Sequence, residues 1–172
     1  MHNIRVVIHG AMGKMGRETV NAVCREPDLE PVGAADHQAQ THSYSLPDGS
    51  GDIPFSNSLK DVINKAQVVV DFSTAEGAMN VIRTATSNKV NVVVGSTGLT
   101  TDNIKESESL AQKYQVGIII APNFAIGAIL MIQIAKIAAP YFDYADLMEI
   151  HHEAKIDAPS GTALAIAKQL SN

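Results

Sequence analysis

The chain has 172 residues, 45% of them apolar and 18% charged, with a formal net charge of −5. That length favours one domain, or one with a small appendage, and the apolar share is enough for a real core. The acidic balance argues against nucleic acid as a partner, and no block of like charge suggests a membrane-surface or polyanion-binding arm. No apolar run approaches the roughly 20 residues of a membrane-spanning helix. The N-terminus enters a strand too soon for a signal peptide. Cys24 is the only cysteine, and its place in an apolar helical pattern fits a small buried hydrophobe. The expectation is a soluble, cytoplasmic protein.

In chain order, Ile4–Ile8 is a β-branched strand, followed by a glycine turn and a helix with Met15, Val20 and Val23 on one face. Pro31–Ala35 reads as a second strand and His37–Pro54 as a loop rich in Ser, Gly, Gln and Pro. Leu59–Lys65 is a short helix, Val68–Phe72 a strand, Ala75–Ser87 a helix, Val90–Val94 a strand, Thr101–Tyr114 a helix and Val116–Ala121 a fifth strand. Unbroken Val/Ile runs indicate strands covered on both faces, and strand–helix alternation gives right-handed crossovers. The fold class is therefore α/β, a Rossmann-type doubly wound parallel sheet. After Pro122 the pattern changes to an apolar helix Gly127–Ala139, a strand Ala145–His151 and a helix Ser160–Leu170. The expected domains are a dinucleotide-binding domain, 1–122, and a partial α+β substrate-binding and oligomerisation domain, 123–172.

His9-Gly10-Ala11-Met12-Gly13-Lys14-Met15-Gly16 lies between the first strand and the first helix. Glycines there let backbone N–H groups approach a diphosphate at a helix N-terminus. The spacing is GxxGxxG, weak alone; a tight turn without a ligand is the competing reading. Asp36 ends the second strand twenty positions beyond Gly16, where an acidic residue binds the adenine ribose hydroxyls and disfavours the extra phosphate of NADPH. Asp71-Phe72-Ser73-Thr74 and Gly95-Ser96-Thr97-Gly98 follow two further strands and either line the same crevice or serve as turns. In the second half, Glu149–Ala163 holds His151, His152 and Lys155 as proton donors, with Ser160 placed to cap a helix. Adjacent strand histidines face opposite ways and no third ligand is evident, so no metal is expected.

The string His151-His152-Glu153-Ala154-Lys155-Ile156-Asp157-Ala158-Pro159-Ser160-Gly161-Thr162 closely resembles the signature of the dihydrodipicolinate reductases, also called 4-hydroxy-tetrahydrodipicolinate reductases. His9–Gly16, Gly95–Gly98 and Ala121-Pro122-Asn123-Phe124 match that family's pattern in order and spacing. The resemblance implies NADH- or NADPH-dependent reduction of a cyclic dicarboxylic imine, with loss of water, in diaminopimelate and lysine biosynthesis. It implies His151 as general acid/base and Lys155 as a proton donor that attracts the substrate. His152, Ser160, Gly161 and Thr162 would bind substrate, Gly161 and Thr162 gripping a carboxylate. Gly10, Ala11, Met12, Gly13, Lys14, Met15, Asp36, Gly95, Ser96, Thr97, Ala121, Pro122, Asn123 and Phe124 would contact the cofactor. His37 stands where relatives carry a basic residue for the NADPH phosphate, which leaves the choice of cofactor open. Homo-oligomers are implied, tetramers in the complete family form.

Relatives continue well past the segment matching Ser160–Leu170, so the substrate domain is expected to be incomplete, mobile or borrowing a partner from a second copy. A chain of this length is then expected to bind cofactor and to reduce substrate poorly. The alternative is a non-catalytic dinucleotide-binding fragment. A semialdehyde dehydrogenase is rejected because its nucleophilic cysteine would belong in the second half.

Overall fold

The computed structural model describes residues 3–121, 123–151, 153 and 158–170. The chain divides into two compact units, 1–121 and 122–172.

The first unit is built on a seven-stranded sheet. Its strands are β1 (Ile4–His9), β2 (Leu29–Ala35), β3 (Ser43–Ser45), β4 (Asp52–Ser56), β5 (Val68–Asp71), β6 (Asn91–Val94) and β7 (Ile118–Ile120). Their order is β3-β4-β2-β1-β5-β6-β7, all parallel except β3, which runs antiparallel to β4. The winding direction reverses between β1 and β5, so the switch point of the fold lies between their carboxyl ends.

Both faces of the sheet are covered. Val6 and Ile8 join Ala11, Val20, Val23 and Ala34 in one core, while Val7 joins Ala35, Val69, Ile82 and Val92 in the other. Alternate residues of β1 thus feed opposite layers, which is why the strand is apolar without alternation. Each fully buried aliphatic side chain, such as Ile8 or Ile82, contributes roughly 1.5–3 kcal/mol. Helix α1 (Lys14–Arg25) covers the first layer. Met15 does not join it, contrary to the sequence reading: it stands 45% exposed on the first turn, while Val20 and Val23 are buried. Cys24 packs half-buried against the same layer. Burial pushes its thiol up, and the Asp48 carboxylate adds to this, so the thiolate is disfavoured.

The second layer holds a short helix α2 (Leu59–Val62) continued by a 3-10 turn, Ile63–Lys65, then α3 (Ala75–Ser87) and α4 (Thr101–Tyr114). Thr74 caps α3 by accepting from the Gly77 amide at 3.1 Å. Thr100 and Asn103 exchange side-chain bonds with each other's amides at the start of α4. Gln115, in the left-handed region at φ 56°, ends α4.

The loop expected over 37–54 contains a hairpin. Ile53 and Phe55 of β4 are buried and alternate with exposed Asp52 and Pro54; the Pro- and Gly-rich turn after β3 disguised this period of two. Pairing of β1 with β2 carries a register break: Val6 faces Pro31, but Val7 faces Gly33, leaving Val32 as the extra residue.

The second unit contains α5 (Ile126–Ala138), a 3-10 turn at Ala139–Tyr141, and α6 (Gly161–Leu170). The strand expected over Ala145–His151 does not form; the segment has no secondary structure. An extended segment becomes a strand only against a ladder partner, and no other described segment pairs with it. Among the described residues, no helix is long and apolar enough to cross a membrane.

Candidate functional site

A cleft of about 720 Å³ opens at the carboxyl ends of β1, β2 and β5, bounded by the first turn of α2 and by α3 as far as Thr84. Its floor is the glycine turn. Gly10 has φ +77°, and a side chain there would lie 2.7 Å from the carbonyl oxygen of Phe72. A side chain at Gly16 would lie 1.9 Å from the Gly10 carbonyl oxygen. The turn is thus pressed between β5 and α1 at two points where only glycine fits. Gly13 lies at the N-cap of α1 and makes no side-chain cap, so no side chain is spent on the first amides of the helix.

Asp36 forms the next wall. Its carboxylate is 4% exposed and accepts from the amides of Met12 and Gln38, each at 2.9 Å. One carboxylate therefore ties the end of β2 to the glycine turn. His37 is largely exposed, with Nδ1 3.2 Å from Asp36 Oδ1.

Of the residues expected to hold a cofactor, Gly10, Met12, Gly13 and Asp36 line this cleft. Ala11 is fully buried in the α1 layer. Lys14 and Met15 are exposed on the first turn of α1. Gly95, Ser96 and Thr97 follow β6 outside the cleft lining. Gly95 is needed for a different reason: a side chain there would fall 2.0 Å from the Phe72 ring, which packs over it and lines the cleft. Ser96 is buried and donates to Asp71 at 2.7 Å. Ala121 closes the first unit. In the second unit, Asn123 accepts the Ala125 amide at 2.8 Å just before α5, and Phe124 is half exposed. Pro122 lies outside the described residues.

Sequence reasoning gave no role of its own to His9 and did not see its pairing with Asp71. His9 and Asp71 sit at the ends of the strands flanking the switch point, with His9 Nδ1 2.6 Å from Asp71 Oδ1. Phe72 was read within a loop that either lines the crevice or serves as a turn, and with Ser73 and Thr74 it lines the cleft. The signal for it was the glycine at position 95 of the neighbouring strand end.

The second unit places Ser160 ahead of α6, where its hydroxyl accepts the Ala163 amide at 3.0 Å and caps the helix. Glu149 binds Ser160 twice, through the amide at 2.7 Å and through the hydroxyl. His151 is 41% exposed, with Nδ1 3.8 Å from a Glu149 oxygen. Gly161 and Thr162 begin α6. His152 and Lys155 lie outside the described residues. Among the described residues, no three His, Cys, Asp or Glu side chains converge as a metal site would require.

The geometry of a glycine turn at a switch point is shared by many folds; comparison with known proteins narrows it. Residues 4–124 match the family model described as dihydrodipicolinate reductase, N-terminus, and residues 127–172 match dihydrodipicolinate reductase, C-terminus. The chain belongs to the dihydrodipicolinate reductase family.

Relatives named 4-hydroxy-tetrahydrodipicolinate reductase agree. That of Dehalococcoides mccartyi strain BAV1 is 47% identical over 166 residues, which cover 95% of this chain and 63% of the relative. That of Synechocystis is 42% identical over 98% of this chain and 65% of the relative. The chain thus spans somewhat under two thirds of the length of these reductases. A solved structure of a dipicolinate-bound dihydrodipicolinate reductase from Paenisporosarcina sp. TG-14 is 36% identical, with a TM-score of 0.79, covering 98% of this chain and 66% of that one. A WlbA dehydrogenase structure shares the fold at 15% identity, with a TM-score of 0.65.

Proposed function

We propose that the protein carries out NAD(P)H-dependent reduction of 4-hydroxy-tetrahydrodipicolinate to tetrahydrodipicolinate, in the diaminopimelate and lysine route. It would act in the cytoplasm, as a homo-oligomer, on a small dicarboxylate. The observation that carries this reading is the glycine turn at the switch point, closed by Asp36, in a chain matched by the reductase family through both halves.

The cleft suits a dinucleotide on its own chemistry. Two positions exclude any side chain, the N-terminus of α1 is uncapped by side chains, and a buried carboxylate stands where ribose hydroxyls would donate. When bound, the reduced nicotinamide supplies a hydride. Gly10 to Met15 would hold the diphosphate, Asp36 the adenine ribose, and Gly95–Thr97 with Ala121–Phe124 the nicotinamide side. Asp36 Oδ1 and Oδ2 each keep acceptor capacity after taking one amide.

The substrate carries two carboxylates, so it needs cations and free N–H groups. Gly161 and Thr162, at the start of α6, would offer amides to one carboxylate, with Ser160 shaping that helix start and His152 completing the grip. His151 would hold or give the proton as general acid/base, and Lys155 would donate a proton and draw in the anion. The balance is one hydride and one proton added to the ring and one water lost.

The test is loss of reduced-nicotinamide absorbance with enzymatically generated substrate. It is run on the 172-residue chain and on a polypeptide of the relatives' full length, each with its mass confirmed. Turnover by the longer polypeptide, and NADH or NADPH binding by the shorter, is the expected result. Failure of the shorter chain to bind either dinucleotide overturns the reading.

A further inference from the structure

His9 closes β1 and immediately precedes Gly10. Nothing above gives it a task, yet its surroundings are built. Asp71, at the end of β5, is fully buried. Its carboxylate takes His9 Nδ1 at 2.6 Å and the hydroxyls of Ser73 and Ser96 at 2.7 Å each. A buried carboxylate that stays ionised needs a counter-charge beside it. His9 is the one ion-pair partner of Asp71 among the described residues.

The other ring nitrogen is placed differently. His9 Nε2 has no hydrogen-bond partner among the described residues. It is not sealed off either, since every buried polar side-chain atom described is satisfied and the ring stays 20% exposed. The exposed part of His9 lines the cleft next to Gly10.

We infer that His9 is a ligand of the dinucleotide's diphosphate, donating from Nε2, and that Asp71 is the residue that positions and charges it. The inference rests on the dinucleotide reading and deepens it. A neutral ring with Nδ1–H given to Asp71 would turn a lone pair toward the anion; only the imidazolium donates from both nitrogens. Diphosphate binding is therefore proton-linked, stronger in acid and weaker as pH rises. The charged or titratable groups here are Asp71 from β5, buried against His9, and, lining the cleft, Asp36 and His37 after β2, Lys60 from α2 and Glu76 from α3. Of these, Asp71 alone touches His9, and Asp36 is held by the Met12 and Gln38 amides.

The probe is ADP-ribose, which carries the diphosphate without the nicotinamide, titrated calorimetrically into the 172-residue chain between about pH 5.5 and pH 8. His9→Asn puts an amide nitrogen where Nδ1 stands, so Asp71 keeps its donor, but Nε2 is gone. It should melt somewhat below the unsubstituted chain, since Asp71 keeps a donor but loses the charge beside it, bind about tenfold more weakly at the acid end and lose the pH dependence. His9→Gln reaches the Nε2 position without the charge; it should regain part of the affinity and remain independent of pH. Nitrogen shifts of the His9 ring in the unsubstituted chain should move on saturation, a readout that needs no variant to fold. An Asn variant with unchanged affinity and pH slope, or a ring that ADP-ribose leaves unmoved, overturns the role of His9. Absence of any ADP-ribose binding by the unsubstituted chain overturns it too, but through the dinucleotide reading, whereas binding that leaves the ring unmoved overturns the role of His9 alone.

Discussion

Asp36 holds the amide of Met12 at 2.9 Å across the cleft floor, so the carboxylate at the end of β2 is both a wall of the site and a brace for the glycine turn. Asp36→Ala should therefore do two things. It frees a nearly buried amide, costing about 1–2 kcal/mol in urea unfolding. It should also weaken NADH more than NADPH, because the ribose acceptor and the repulsion of the extra phosphate disappear together. Fluorescence titration of both cofactors separates these effects, and equal losses for the two would refute the selectivity role.

Gly16→Ala should be the most damaging small substitution in the turn, since its new carbon would stand 1.9 Å from a backbone oxygen. We expect a loss on the order of 3 kcal/mol and no measurable dinucleotide binding. Gly127→Ala is the control: nothing lies within 4 Å of that position in α5, and the helix should gain about 0.5–1 kcal/mol. Denaturant midpoints that moved alike would disprove the packing argument.

His151→Gln and Lys155→Ala, made in a polypeptide of the relatives' full length, should each lower turnover about 10²–10⁴-fold. NADH affinity should hardly change. Full turnover in either variant would remove that residue from proton handling.

Acid should loosen the first unit slightly. The Arg83 guanidinium, bonded at 2.6 and 2.8 Å, holds the Glu106 carboxyl below the usual carboxylate range. Asp48 is lowered by the Ser50 amide and hydroxyl, and Asp52 by the Ser45 and Ser43 hydroxyls. Carboxyls lowered on folding stabilise above their unfolded values, and that contribution is lost as pH falls through their folded ones. All three are at the surface, where screening keeps the effect small. Melting temperature should decline as pH drops through and below the carboxylate range, and Glu106→Gln should flatten that decline. An unchanged profile in the variant would discount the pair.

Ile126, Ile134 and Ile137 of α5 are each at least 66% exposed in the single chain. We expect concentration-dependent self-association by light scattering, reduced by Ile134→Glu. A monomer at every concentration would exclude the homo-oligomer.

Much of the first unit was legible because its physics is local. Val/Ile runs mark strands buried on both faces, and Thr74 and Thr100 announce the helices they cap. The β3–β4 hairpin escaped because Pro54 stands inside β4 and the turn residues around Gly49 and Gly51 outweigh two buried side chains. The cleft was readable at Gly10 and Asp36, whose spacing lies along the chain. The His9–Asp71 pair was not, because 62 residues separate its members and only the parallel pairing of β1 with β5 brings them level. Ala145–His151 has a strand's composition without a described neighbour to pair with, and composition cannot supply one.

The register break at Val32 has a consequence for reading and engineering this site. Leu29 and Ala34 pack on the same side of the sheet although five positions separate them, an odd interval that a regular strand would place on opposite sides. The extra residue shifts the phase of everything after it, including Asp36. Deleting Val32 would make Pro31 and Gly33 neighbours that still face Val6 and Val7, so the ladder would become regular and Asp36 would keep its place beside Met12. The acidic residue is therefore to be matched between relatives by its place against β1, not by counting from the start of β2: a strand without the extra residue would bring the carboxylate to the same place one position sooner.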